Sequence, residues 1–155
     1  MKHLLLLASL LCFSAMPARA ADMAAAASGA KDAETCIEPL AQGDIKAFEA
    51  CLKKLDAASQ GAADVKSSYT VGLYFQSWSI ANLIAAQADG DDFFPEIKKR
   101  SDAKPQRQLA MRLFDKFRAL QKKLKIKDDD LAKSAGYELP AVKPHLDYYD
   151  KLPKK

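Results

Sequence analysis

The sequence predicts an all-α fold, a small helical bundle of four main helices plus one or two short C-terminal helices. Apolar residues recur at helical spacing through most of the chain, and no stretch shows the sustained alternation that is typical of strands. The chain has 155 residues, 49% of them hydrophobic and 28% charged, which suits one globular domain and leaves little room for two. We therefore expect a single helical domain over residues 33–155.

The first 20 residues predict a cleavable signal peptide. Lys2 and His3 give a positive start, residues 4–13 form an apolar run, and Ala18-Arg19-Ala20 places small residues where signal peptidase cleaves. A membrane anchor is the alternative, but this run is shorter than the ~20 residues that span a bilayer. We expect the alanine-rich residues 21–32 to be a flexible leader, and the protein to be periplasmic or secreted beyond the cell.

Two cysteines remain after cleavage, Cys36 and Cys51. Two cysteines in an exported protein most often pair, and this pair closes a short loop. A metal site would need more ligands nearby, and a redox dithiol would need closer spacing such as C-x-x-C. The sequence therefore predicts a structural disulfide.

The N-terminal half of the domain predicts two short helices and a long one. The first covers 33–42 and is shortened or kinked by Pro39. A Gly-Asp pair ends it and caps the second helix, over 45–58. The disulfide then staples an N-terminal αα-hairpin. The third helix, over 65–88, is apolar nearly all round, as buried helices are, so we expect Trp78 at its middle to be buried.

The C-terminal half predicts a long amphipathic helix over 102–126, with Pro105 in its first turn. Its apolar residues repeat at intervals of three or four: Leu109, Leu113, Phe117, Leu120 and Leu124. One short helix is predicted from Asp128 to Gly136 and another around 144–151.

Few residues suit catalysis or metal binding. His145 is the one histidine left after cleavage, which disfavours zinc, haem and copper sites. The acidic clusters at 89–92 and 128–130 lack the spacing of a calcium loop, and phosphate loops and dinucleotide fingerprints are absent. We predict no catalytic residue, no metal and no cofactor. An enzyme with a dispersed site stays an alternative, which a deep polar pocket around His145 would favour.

Charge is segregated along the chain. Residues 98–127 contain 12 basic residues and two acidic ones, whereas the segments on either side are acidic. Either these acidic segments neutralise the basic helix within the fold, or its basic face is exposed to an acidic partner. The candidate partner-binding residues lie on its outer and flanking sides: Arg112, Lys116, Lys122 and Lys123.

We therefore expect an exported, non-enzymatic binding protein that recognises another protein with an acidic surface, a class that includes inhibitors and immunity proteins. The alternative is binding to anionic lipid or lipopolysaccharide through the basic amphipathic helix 102–126. Nucleic acid is not expected as a partner, because no aromatic stacking motif accompanies the basic residues.

Overall fold

The computed structural model describes residues 21–89 and 103–153, and within them it contains helices and no strand. A 3₁₀ turn, Glu34–Cys36, joins the first two helices. The helices, in chain order, are α1 (Met23–Ala33), α2 (Ile37–Ala41), α3 (Ile45–Ala58), α4 (Ala63–Asp89), α5 (Ala103–Leu124), α6 (Asp128–Ser134) and α7 (Leu139–Lys151). The predicted all-α class is confirmed. The predicted signal peptide lies outside the described residues.

Helix α4 is the centre of the bundle. Every residue from 71 to 82 is buried, as the helix that is apolar nearly all round predicts. Helices α1 and α5 are the two that pack on α4 most extensively. None of the helices in the described residues is both long enough and apolar enough to cross a membrane.

Aromatic side chains from three helices form the middle of the core. Trp78 on α4 is 1% exposed, which confirms the prediction that it is buried. Its ring lies 5.3 Å from Phe117 and 5.6 Å from Phe114, both on α5, and 5.6 Å from Tyr149 on α7. These centroid distances are those of favourable aromatic pairs. Of the apolar stripe of α5, Leu109, Leu113 and Phe117 are buried in the core, and Leu120 and Leu124 pack partly buried against it.

The predicted flexible leader, residues 21–32, is wrong. Asp22 caps α1 through a hydrogen bond that its side chain accepts from the Ala25 amide, and the helix packs on α4. A Cβ added to Gly72 of α4 would lie 1.9 Å from the Ala26 carbonyl oxygen. The two backbones therefore touch through small residues. The prediction of a flexible leader rests on the scarcity of large apolar side chains in α1, and this kind of packing does not need them.

The predicted disulfide is confirmed. Cys36 ends the 3₁₀ turn and Cys51 lies on α3, with their Cα atoms 5.8 Å apart. Asp44 caps α3 by accepting a hydrogen bond from the Ala47 amide at 2.9 Å. The predicted first helix is shorter than expected, because Ala33 belongs to α1 and Pro39 lies in the first turn of α2, where a missing N–H costs little.

The last helix is longer than predicted. Helix α7 begins at Leu139, five residues before Pro144, and it contains that proline. Pro140 and Pro144 are both exposed, so the backbone carbonyls that proline leaves without an N–H partner can be hydrated. Leu146 and Tyr149 are the buried residues that fix α7 against the core.

Candidate functional site

Two of the four candidate partner-binding residues are engaged by acidic residues of α3. Arg112 donates to Glu49 at 2.9 Å. Lys116 lies 3.8 Å from Asp56, and its Nζ is 3.7 Å from the centre of the Tyr74 ring. On this part of α5 the acidic segments neutralise the basic face.

Asp56 ties these charges to the bundle. Its carboxylate accepts a hydrogen bond from Thr70 Oγ1 at 2.6 Å and lies 3.5 Å from the Tyr74 hydroxyl. Burial, followed by the charge of Asp56, raises the pKa of Tyr74 to about 12. The ion pair of Lys116 is therefore one part of a polar network that joins α3, α4 and α5.

A second polar network, which sequence analysis did not identify, centres on Arg118. Its guanidinium binds both Asp128, at the start of α6, and Asp150, near the end of α7. Its side chain is only 11% exposed. Gln121, itself buried, accepts a hydrogen bond from Arg118 and donates one to Asp128 at 2.7 Å. These residues join the end of α5 to α6 and α7.

Hydrogen bonding governs the ionisation of this network. Burial alone would lower the pKa of Arg118, but hydrogen bonds to Asp150 and Asp128 outweigh it and raise that pKa. Burial alone would raise the pKa of Asp128, but hydrogen bonds from Arg118 and Gln121 outweigh it and lower that pKa. Arg118 and Asp128 stay charged at neutral pH. The network therefore pairs one basic residue with two acidic residues.

Four lysines cluster where α5 ends, and we call them the basic cap: Lys122, Lys123, Lys125 and Lys127. All four are exposed, and none forms an ion pair with another residue in the two described ranges. Lys122 and Lys123 therefore have no acidic partner among the described residues, unlike Arg112 and Lys116, which are exposed but paired. Lys125 and Lys127 were not among the predicted site residues, although their clustering in the sequence was visible.

Lys125 has an unusual backbone conformation. Its φ is 57°, in the left-handed region that favours glycine, and it is the only non-glycine residue with positive φ in the described part of the chain. The Lys125 amide bonds to the Lys122 carbonyl, and the Ile126 amide bonds to the Gln121 carbonyl. This is the Schellman arrangement that ends a helix, with lysine at the position where glycine is commonest.

A shallow hollow of about 720 Å³ lies beside the basic cap. Three lysines of the cap line it together with Ile126 and Leu139. The acidic residues in its wall have basic partners: Arg118 binds Asp128 and Asp150, and Lys133 binds Asp129. The lining lysines are Lys122, Lys125 and Lys127.

Two other hollows flank Met111, Tyr149 and Leu152 between α5 and α7, with volumes of about 290 and 210 Å³. Asn82 lines the smaller one, and its side-chain nitrogen lies 3.0 Å from Nδ1 of His145. His145 is not among the described residues that line either hollow. The polar pocket that would favour an enzymatic site around His145 is not found in these two hollows.

Within residues 21–89 and 103–153, no group of three or more histidine, cysteine, aspartate or glutamate side chains is placed to hold a metal ion. Comparison of the chain with models of protein families, with curated proteins and with solved structures finds no match.

Proposed function

We propose that this is an exported, non-enzymatic binding protein that recognises an acidic surface of a protein partner through the basic cap. One observation carries the proposal: four exposed lysines surround the end of α5 without acidic partners among the described residues, although Arg112, Lys116 and Arg118 of the same helix all have them. Unpaired surface lysines produce a positive potential that attracts an acidic partner and speeds association.

The packing of α5 favours a protein partner over a membrane. An interfacial helix binds a membrane by inserting its apolar face among the lipids. On α5 that face is buried against the core, with Leu109, Leu113 and Phe117 no more than 4% exposed. Membrane binding through helix 102–126 would therefore require α5 to leave the bundle, and without insertion only the charge of the lysines remains.

The disulfide supports export. Disulfides form and persist in oxidising compartments and are rare in the cytosol. Cys36 and Cys51 form one here, in agreement with the predicted cleavable signal peptide. Periplasmic or extracellular residence is accordingly part of the proposal. An inhibitor or immunity protein is one form that such a binding protein takes.

The test compares two pairs of neighbouring lysines, one in the basic cap and one on α3. Lys122→Glu with Lys123→Glu reverses two charges of the basic cap, and Lys53→Glu with Lys54→Glu makes the same change on exposed residues of α3. Tagged, oxidised protein is cross-linked in a periplasmic extract, and captured proteins are identified by mass spectrometry. We expect an acidic partner that the wild type and the α3 variant capture and the cap variant loses.

Two outcomes would contradict the proposal. Equal capture by all three proteins would show that the basic cap is not the binding surface. Sedimentation with vesicles of phosphatidylglycerol at low salt, lost in the cap variant and suppressed by added salt, would favour the anionic-lipid alternative if no protein partner is captured.

A further inference from the structure

We infer that the hollow beside the basic cap binds an acidic peptide segment with an apolar side chain between its carboxylates; this inference rests on the proposed function. The hollow combines two kinds of lining. Lys122, Lys125 and Lys127 supply positive charge, and Ile126 and Leu139 supply apolar surface. A partner that matches both must carry acidic and apolar groups within a few residues of each other.

The charge balance of the lining favours an anionic segment. Each carboxylate in the lining has a cation beside it, whereas the three lysines have none among the described residues. The cations of the lining, with Lys133, outnumber its carboxylates Asp128, Asp129 and Asp150. The excess positive charge is therefore carried by the exposed lysine side chains, which can reach carboxylates of a bound peptide.

The conformation of Lys125 points to the same surface. A left-handed L-residue is less stable than a right-handed one, and glycine avoids most of that cost. The strained residue is also one that lines the hollow. Strain of this kind clusters at functional sites, where the side chain or the local geometry is used. The side chain of Lys125 is the part that glycine could not supply.

The small apolar area of the hollow limits the size of the apolar group that a bound peptide can place there. Ile126 is 9% exposed and Leu139 is half-buried, so they offer a small apolar patch. One aliphatic side chain fits such a patch, whereas a helix with a continuous apolar face would need a longer groove. The inferred ligand is therefore a short extended segment such as Glu-Asp-Leu-Asp-Glu.

Two synthetic peptides test the inference: acetyl-Glu-Asp-Leu-Asp-Glu-amide, and the same peptide with serine in place of leucine. Binding to the mature, oxidised protein is measured by fluorescence anisotropy at low salt. We expect the leucine peptide to bind roughly fivefold more tightly than the serine peptide, because it buries part of an aliphatic side chain. Leu139→Ser should abolish this preference and leave the affinity for the serine peptide unchanged.

Lys125→Gly provides the second arm. It should weaken binding of both peptides about threefold, the value of one exposed ion pair, while the melting temperature rises. Lys54→Ala on α3 removes one exposed lysine elsewhere and should leave both affinities unchanged. Binding and stability then change in opposite directions, so weakened binding by Lys125→Gly cannot result from unfolding.

The results separate this inference from the proposed function. Equal affinities for the two peptides, or no effect of Lys125→Gly, overturn the inference while capture of a partner through Lys122 and Lys123 still supports the function. Failure of both peptides to bind, with capture intact, shows that the partner uses the cap but not the hollow. Peptide binding without capture of any partner would contradict the proposed function and, with it, the inference that rests on it.

Discussion

Lys125 shows how one residue can lower the stability of a helix end. Its backbone is left-handed, at φ 57°, where a Cβ atom crowds the following carbonyl oxygen. We expect Lys125→Gly to raise the free energy of unfolding by about 1 kcal/mol. Urea denaturation checks this. Lys125→Ala keeps the Cβ atom and removes the charge, so stabilisation by alanine as large as that by glycine would show that the charge, not the backbone, is responsible.

The ionisation of Asp128 makes the stability of the protein depend on pH. Its pKa is lowered in the folded protein by Arg118 and Gln121. Its contribution is therefore fully present above its unfolded pKa of about 4 and is lost as pH falls through the lower folded pKa. We expect Asp128→Asn to cost about 1 kcal/mol at pH 7, discounted for partial exposure.

The cost of Asp128→Asn should shrink as the pH falls below about 4, because the wild-type carboxylate is then progressively protonated and loses its charge. Denaturant unfolding at a series of pH values measures it. Asp130→Asn is the control, since Asp130 lies in the same helical turn and is exposed. A cost that does not vary with pH, or equal costs for both variants, would rule out ionisation of Asp128 as the cause.

Sequence analysis could not identify the Arg118 network because its members are distant in the chain. Arg118 is 10 residues from Asp128 and 32 from Asp150. In the sequence it is one of the 12 basic residues of the segment 98–127, with nothing to distinguish it from Arg112. The exposure of Lys122 and Lys123 could be predicted, because helical periodicity alone places them off the apolar stripe.

At the level of the elements, the packing of α1 against α4 depends on a glycine that has no side chain. A Cβ added to Gly29 would lie 2.1 Å from the Tyr69 carbonyl oxygen and 2.9 Å from the Leu73 amide nitrogen. We expect Gly29→Ala to destabilise the protein by about 1–3 kcal/mol, although alanine is the better helix former. Thermal unfolding followed by circular dichroism measures the change.

Ser28→Ala is the matched control for that substitution. Ser28 is the exposed neighbour of Gly29 on α1, so only helix propensity should act there, and stability should stay the same or rise slightly. If Gly29→Ala were as harmless as Ser28→Ala, the close approach of α1 and α4 would be wrong.

The elements that sequence analysis placed well are those with a capping residue and a broad apolar face. Helix α3 was predicted over 45–58 and has those bounds, because Asp44 caps it and its large residues share one side. Helix α1 lacks such residues, and its packing surface of alanine and glycine resembles a linker in composition. Contacts between backbones carry no hydrophobic signature, which is why this helix was missed.

At the scale of the whole molecule, the disulfide connects two parts of the chain whose helices pack in different ways. Helix α1 packs through alanine and glycine, whereas α3 packs through large apolar side chains. The disulfide lies between the turn that follows α1 and the middle of α3. Cys36→Ser with Cys51→Ser should reduce the free energy of unfolding by about 3 kcal/mol, mainly through the unfolded chain, and leave the helical content intact at low temperature. Thermal melts followed by circular dichroism measure both quantities.

The wild-type protein under reducing conditions is the comparison for the double serine variant. The two should melt at similar temperatures, because both lack the cross-link. A melt of the serine variant that matches the oxidised wild type would show that the disulfide contributes little to stability.

The disulfide also affects the electrostatic surface of the protein. Helix α3 has few contacts with α4, yet it presents Glu49 and Asp56 to α5. The buried sulfur of Cys36 tethers α3 to the turn after α1, which is itself fixed on α4. We expect reduction to weaken this tether, so that Glu49 and Asp56 hold Arg112 and Lys116 less firmly. The redox state of two cysteines would thereby set how much of the positive charge of α5 is paired with α3.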